Sequence, residues 1–193
     1  MMSTRLHMLK FATLVGLPAI ILWMLSSLFR TDREVAGRME TVLPDTAAIQ
    51  KTVRKQSTDR TALLRDSIVD FGKSLLGTRY VPGACSRDGF DCSGFVYYVF
   101  QHVNVKVPRS SSGYGDFGRE IPLDSVRKGD VLVFLSPTRN AIGHVGIVSN
   151  PKGKESDFIH ASSGREMKVM VTSLKQEQYA RRFVKAVDVL PAL

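Results

Sequence analysis

The sequence predicts an α+β domain preceded by an N-terminal hydrophobic helix. Two helical segments, residues 63–77 and 92–103, come first. Strand-like segments follow at 131–135, 143–149 and 157–163, and the last two flank a short polar turn. Helices followed by an antiparallel hairpin make an α+β arrangement. At 193 residues, 44% hydrophobic and 23% charged, the chain suits one domain with a core plus an extra segment.

The extra segment is N-terminal. Arg5 and Lys10 precede an uncharged apolar run from Phe11 to Phe29. As a helix it is long enough to span a bilayer's hydrocarbon core. A basic start with an apolar middle equally fits an export signal. Residues 1–29 are therefore read as a signal peptide or a membrane anchor. No small-x-small cleavage site stands out, which favours the anchor, and no cysteine follows to carry a lipid. Either way the rest of the chain is expected on the extracytoplasmic side of the membrane, in the cell envelope. Residues 30–61 mix both charge signs with Thr, Ala and Gln and show no apolar stripe. They read as a tether, partly helical. The folded domain is expected over 62–193.

Within it, Leu64, Ile68, Phe71 and Leu75 recur at helical spacing, and Gly77 suits a C-terminal cap. Asp91 suits the N-cap of the next helix, Cys92 to Val103, which is apolar on nearly every side and so central. Val131 to Leu135 reads as a buried strand. Gly143–Ser149 and Asp157–Ser163 form a hairpin around the turn residues Asn150, Pro151 and Gly153.

The chemistry centres on Cys92. First-turn N–H groups lack intrahelical partners, and with the helix dipole they favour a thiolate or an oxyanion. Asp91 opposes this if its charge lies near the sulfur. A buried inert cysteine is the competing reading. A nucleophilic cysteine needs a base. Of four histidines, His7 lies in the N-terminal segment and His102 inside the apolar helix. His144 and His160 lie on the two hairpin strands, 16 residues apart. An even separation puts both on one face, and a loop centred on Lys152 sets them directly opposite.

Together these blocks resemble the NlpC-type cell-wall cysteine peptidases. The resemblance rests on "DCSGFV" at Asp91, "GHVGIV" at Gly143 and "FIHAS" at Phe158. "RYVPG", "VPRSS" and "RKGDVLVF" add to it over roughly 63–190. It implies a reduced papain-like fold, with the cysteine-bearing helix packed on an antiparallel sheet. By resemblance Cys92 is the nucleophile, His144 the base, His160 its orienting partner, and Tyr80 the tyrosine beside the oxyanion site. Asp91, Ser93, Arg109 and Ser111 match positions lining the substrate cleft. The implied substrate is the stem peptide of peptidoglycan, cut between D-glutamate and the diamino acid through a thioester. No metal or cofactor is required.

A net charge of +9 favours an anionic partner or simply a solvated basic surface. No aromatic-plus-basic RNA-binding constellation and no zinc-finger spacing is present, so no nucleic-acid partner is expected. A related-fold amidase or acyltransferase is the alternative enzyme. A zinc protein using Cys85, Cys92, His144 and His160 is the non-catalytic alternative, disfavoured by spacings of 7, 52 and 16 residues. Cys85 is read either as a small cleft residue or as a disulfide partner of Cys92.

Overall fold

The computed structural model describes residues 46–191. The expected hydrophobic segment 1–29 and the first part of the expected tether lie outside them. Among the described residues no helix is long and apolar enough to cross a membrane. The described residues fall into two units that divide between 53 and 54. Residues 46–53, the described part of the first, open a helix, and the second unit carries the site.

Helix α1 spans Thr46–Lys73, so it begins well inside the stretch read as tether. Its early turns are polar on every side and leave Ile49 and Val53 exposed. Good helix formers such as Ala47, Ala48, Gln50 and Lys51 suit it locally. The hydroxyls of Thr52, Thr58 and Thr61 each donate to the carbonyl four residues back. The predicted stripe appears further along: Ile68 and Val69 are buried, with Leu64 and Phe71 packed beside them. The helix closes four residues earlier than the glycine expected to cap it. Gly77, at φ +85°, instead ends the turns that follow, and its N–H donates to the Val169 carbonyl at 2.9 Å.

Strands β1 (Cys85–Ser86) and β2 (Gly89–Phe90) pair as a two-stranded hairpin before helix α2 (Cys92–His102). The rest is one antiparallel sheet. Its strands are β3 (Arg119–Ile121), β4 (Val131–Leu135), β5 (Ile142–Asn150), β6 (Asp157–Ala161), β7 (Val169–Ser173) and β8 (Phe183–Asp188). A short helix, α3 (Glu177–Ala180), precedes β8. The order across the sheet is β3-β8-β4-β5-β6-β7. The predicted mixture of helices and antiparallel strands is thus observed. The predicted strand at 131–135 coincides with β4, and the predicted hairpin is β5–β6. Strands β3, β7 and β8 were not legible in the sequence. They are short or amphipathic runs, and β3 and β8 are completed by partners distant in the chain.

Both faces of the sheet are covered, and alternation decides what each receives. Val131, Val133, Val145, Ile147, Ile159 and Ala161 join α1 and α2 in the larger core. Leu132, Phe134, Val148 and Phe158 join Tyr179 and Leu174 in a second core on the other face. Helix α2 packs against β5 and β6. At the start of α2 the Cys92 sulfur contacts the Gly143 carbonyl of β5, the strand that carries His144.

A buried charge cluster fastens α1 to the sheet. Arg65, only 5% exposed, reaches Asp130 Oδ1 at 2.6 Å, Asp188 Oδ1 at 2.9 Å and the Lys128 carbonyl at 2.8 Å. Arg119 and Arg127 complete Asp188 at 2.8 Å each. Burial pushes the Asp130 carboxyl up, against the pull of Arg65 and the Arg127 N–H. Burial also acts on Asp188, but the Leu190 N–H and the three arginines hold it below the usual carboxylate range. Removing one partner from such a cluster strands the others in low dielectric. Arg65→Met is expected to cost about 3–5 kcal/mol, seen as a lower urea midpoint at unchanged slope. An unchanged midpoint would assign the anchoring of α1 to its apolar contacts alone.

Candidate active site

Cys92 opens α2 where the sequence predicts. Asp91 is the N-cap, with extended φ −84° and ψ 174°, and its carboxylate accepts from the Gly94 N–H. The same carboxylate accepts from the Arg109 guanidinium at 3.0 and 3.1 Å and from the Ser93 hydroxyl at 3.3 Å. Arg109 also donates to the carbonyls of Gly83 and Ala84, at 2.7 and 3.2 Å. Only glycine fits at 94. A Cβ there would lie 2.1 Å from the Ala84 carbonyl oxygen and 2.9 Å from Asp91 Oδ1.

The Cys92 sulfur lies against β5 and contacts the Gly143 carbonyl at 3.8 Å. The helix start was expected to lower its pKa, but the thiol is pushed up. Burial is the main cause and the Asp91 charge the second. The N–H groups of Ser93, Val145 and Cys92 pull the other way without prevailing. Cys85 is a separate free thiol that donates to the Gly94 carbonyl at 3.4 Å. No group of three metal-ligating side chains occurs among the described residues.

The two histidines meet, but not by the expected pairing. Ile147 faces Ile159 and Val148 faces Phe158, so number sums are 306 rather than 304. The 3-10 turn Gly153–Glu155 and an irregularity between Val148 and Asn150 move the register by two. A shift of two preserves the face. Continued one pair further, this register sets Gly146, not His144, opposite His160. A Cβ on Gly146 would fall 3.1 Å from the His160 Cβ and 2.5 Å from Phe158 Cδ2. The missing side chain leaves room for a diagonal contact. His144 Nε2 and His160 Nδ1 are 3.1 Å apart, with their rings at 89°. His160 Nε2 meets the Thr172 hydroxyl at 2.9 Å, and Tyr179 Oη stands 3.5 Å from the same nitrogen. Alternation puts both histidines on the second-core face, among Phe134, Phe158 and Tyr179.

Two clefts share Cys92 and Tyr80. The first, about 150 Å³, is lined by His144, Ser162, Ser163, Gln178, Tyr179 and Arg182 as well. The second, about 520 Å³ and more open, adds Asp91, Ser93, Arg109 and Ser111. All eight residues singled out in the sequence, apart from the fully buried His160, line one or both. Burial pushes the Tyr80 hydroxyl up, helped by Cys92 and Asp91, while Ser163 bonds it and counters. Thr172, Tyr179, Arg182 and Gly146 were missed. Gly146 lies within the GHVGIV block, but the other three sit in no motif, and Thr172 and Arg182 arrive from β7 and the turn before β8.

Burial, His160 and Arg182 hold His144 well below the ordinary imidazole range. Burial and Arg182 bring His160 from 6.5 to about 4. The unfolded chain therefore takes up these protons at a higher pH than the folded one. Stability is fully present above pH 6.5 and is lost as pH falls toward 4. Between pH 6.5 and 5 the His160 contribution alone is about 2 kcal/mol. Urea titrations at pH 7 and pH 5 should show that loss, and His160→Asn should flatten it. Equal slopes for both proteins would contradict the assignment.

The NlpC/P60 family profile matches residues 77–188. A γ-D-glutamyl-L-lysine dipeptidyl-peptidase of Bacillus subtilis is 37% identical over 83 residues, covering 42% of this chain and 28% of that enzyme. The Escherichia coli murein DD-endopeptidase MepS/murein LD-carboxypeptidase is 26% identical over 180 residues, 91% of this chain and 92% of the enzyme. The chain spans about half of two probable endopeptidases of Haemophilus influenzae, 52% and 55%. Among solved structures, an NlpC/P60 protein of Bacillus cereus superposes at TM-score 0.59 with 26% identity, over 66% of this chain and 40% of that one. The NlpC/p60 domain of the peptidoglycan hydrolase SagA superposes at 0.53 with 29% identity, over 64% and 97%. The profile match takes in both cleft halves and more than half the chain, and the chain belongs to the NlpC/P60 family.

Proposed function

We propose that this chain is a cysteine peptidase that hydrolyses an amide bond of peptidoglycan stem peptides, between D-glutamate and the diamino acid, by means of Cys92, His144 and His160. The observation that carries the reading is the relay His144–His160–Thr172 ending in the same cleft as Cys92. The names of relatives support the substrate class: one acts on a γ-D-glutamyl-L-lysine bond and another is a γ-DL-glutamyl hydrolase.

One set of tautomers makes His144 a base. Its Nε2–H donates to His160 Nδ1, and His160 Nε2–H donates to Thr172 Oγ1, which leaves His144 Nδ1 as an acceptor. The thiol pKa is raised and the imidazole pKa lowered, so the resting pair is neutral at pH 7. Proton transfer from Sγ to His144 then accompanies attack on the carbonyl carbon. The oxyanion is received by the helix-start N–H of Cys92 and the Tyr80 hydroxyl. His144 returns the proton to the departing amine, leaving a thioester. It then takes a proton from water, which attacks that thioester, and returns the proton to the Cys92 sulfur as the acid product leaves. Asp91, Ser93, Arg109 and Ser111 line the half of the cleft that takes the amino end of the peptide. The substrate places the chain in the cell envelope. Residues 1–29 serve as its signal or membrane anchor and 30–61 as its tether.

Digestion of defined muropeptides by the full chain is expected to release products ending in D-glutamate. Cys92→Ala should reduce the rate by roughly a thousandfold or more. Equal turnover by that variant would remove Cys92 from the mechanism, and cleavage at another bond would overturn the substrate assignment. The neutral resting pair has its own signature. Alkylation of Cys92 by iodoacetamide should keep rising with pH past 8, whereas a plateau from pH 5 upward would indicate a preformed thiolate–imidazolium pair.

A further inference from the structure

We propose that Arg182 is a carboxylate-binding residue of the cleft, receiving a free carboxylate of the bound peptide in the half that lacks Asp91. The inference deepens the peptidase reading and rests on it for the identity of the peptide.

The two halves of the cleft carry their charge differently. In the open half the cation is Arg109, and Asp91 neutralises it. In the other half Arg182 is the charged side chain among thiol, imidazole, hydroxyl and amide groups. Among the described residues Arg182 has no carboxylate partner. Yet it is held firmly. Nε donates to the Gln178 carbonyl at 2.7 Å, Nη1 donates to the Leu135 carbonyl at 3.0 Å, and the guanidinium lies 5.2 Å from the Tyr179 ring centre. Its backbone is fixed too, since its carbonyl accepts from the Leu135 N–H at 2.8 Å. Nη2 takes no partner among the described residues.

Carbonyls and a ring face orient a guanidinium without cancelling its charge. The charge is felt at the site: it helps hold both His144 and His160 neutral. A fixed, unneutralised guanidinium in a peptide-binding cleft matches a carboxylate in geometry and sign. Because the fold has already immobilised the side chain, little rotamer entropy is lost on binding. The proposed substrate offers two such groups. One is the α-carboxylate left free by a γ-linked D-glutamate, and the other is a carboxylate on the departing diamino acid.

The test uses the full chain and three peptides: the free acid, its D-glutamyl α-carboxamide and its diamino-acid carboxamide. The wild type is expected to lose about tenfold or more in kcat/KM on one of the two amides, mostly through KM, the scale of one charge-assisted hydrogen bond. Which amide suffers identifies the carboxylate. Arg182→Gln should show that loss on the acid and no further loss on that amide, and Arg182→Lys should recover part of it. An equal drop on all three peptides, or a wild type indifferent to both amidations, would reduce Arg182 to a structural or histidine-tuning role. Calorimetric binding of the three peptides to Cys92→Ala, with and without Arg182→Gln, needs no turnover. Arg182-dependent binding of the acid without cleavage by the wild type would sink the peptidase reading and keep this one. Cleavage with no discrimination in binding or rate would do the reverse. Binding indifferent to both the amides and Arg182 overturns the proposal even if no peptide is cut.

Discussion

The Asp91 carboxylate is the constraint around which the site is built. It caps α2, and so fixes the height and direction at which Cys92 leaves the helix. It also holds the Arg109 fork, and through Arg109 the Gly83–Ala84 turn and the segment after α2 are drawn to one point. Gly94 is the steric consequence, since cap, turn carbonyl and guanidinium crowd the space a side chain would need. The arrangement has an electrostatic cost. A negative charge beside a buried thiol raises its pKa, and the helix-start N–H groups do not offset that. In the proposed mechanism the helix start places the sulfur and a base from elsewhere activates it.

The proposed base comes from the sheet, under the opposite demand. His144 and His160 are buried among aromatic rings, where the charged imidazolium is disfavoured. Their order depends on hydrogen bonds, not on an ion pair with a carboxylate. A His–His–Thr relay is neutral throughout, so it can sit in the second core without a buried charge to compensate. Gly146 makes the relay sterically feasible by leaving an empty place across from His160. In the larger frame, Arg65 ties α1 to Asp130, just before β4, and to Asp188 of β8.

The sequence carried these features unequally. The helix start, its cap and the parity of the two histidines were legible because each depends on residues close in the chain or on a count. Parity survived a register error of two, since alternation has period two. The register itself was not legible, because it was set by a 3-10 turn and a strand irregularity that turn-residue composition does not encode. The direction of the thiol's pKa was misjudged for a similar reason. Helix-dipole arguments are local, whereas burial is a property of the finished core. Thr172, Tyr179 and Arg182 left no trace because their sequence neighbourhoods are ordinary and only the strand order β5-β6-β7 brings Thr172 to His160. Helix α1 ran further back than expected, since propensity alone sustains a helix that an apolar-stripe criterion overlooks.

The two halves of the cleft express a division of labour that follows from charge. Asp91 and Arg109 neutralise each other, so the open half presents a polar surface with little net field. The tighter half keeps the Arg182 charge, and that charge acts on two things at once. It discourages protonation of the two histidines, and in the role proposed for it here it also receives the peptide's carboxylate. In the proposed complex the bound carboxylate offsets the Arg182 charge at the histidines. In the proposed mechanism, the imidazolium formed during attack is then less disfavoured than in the empty cleft.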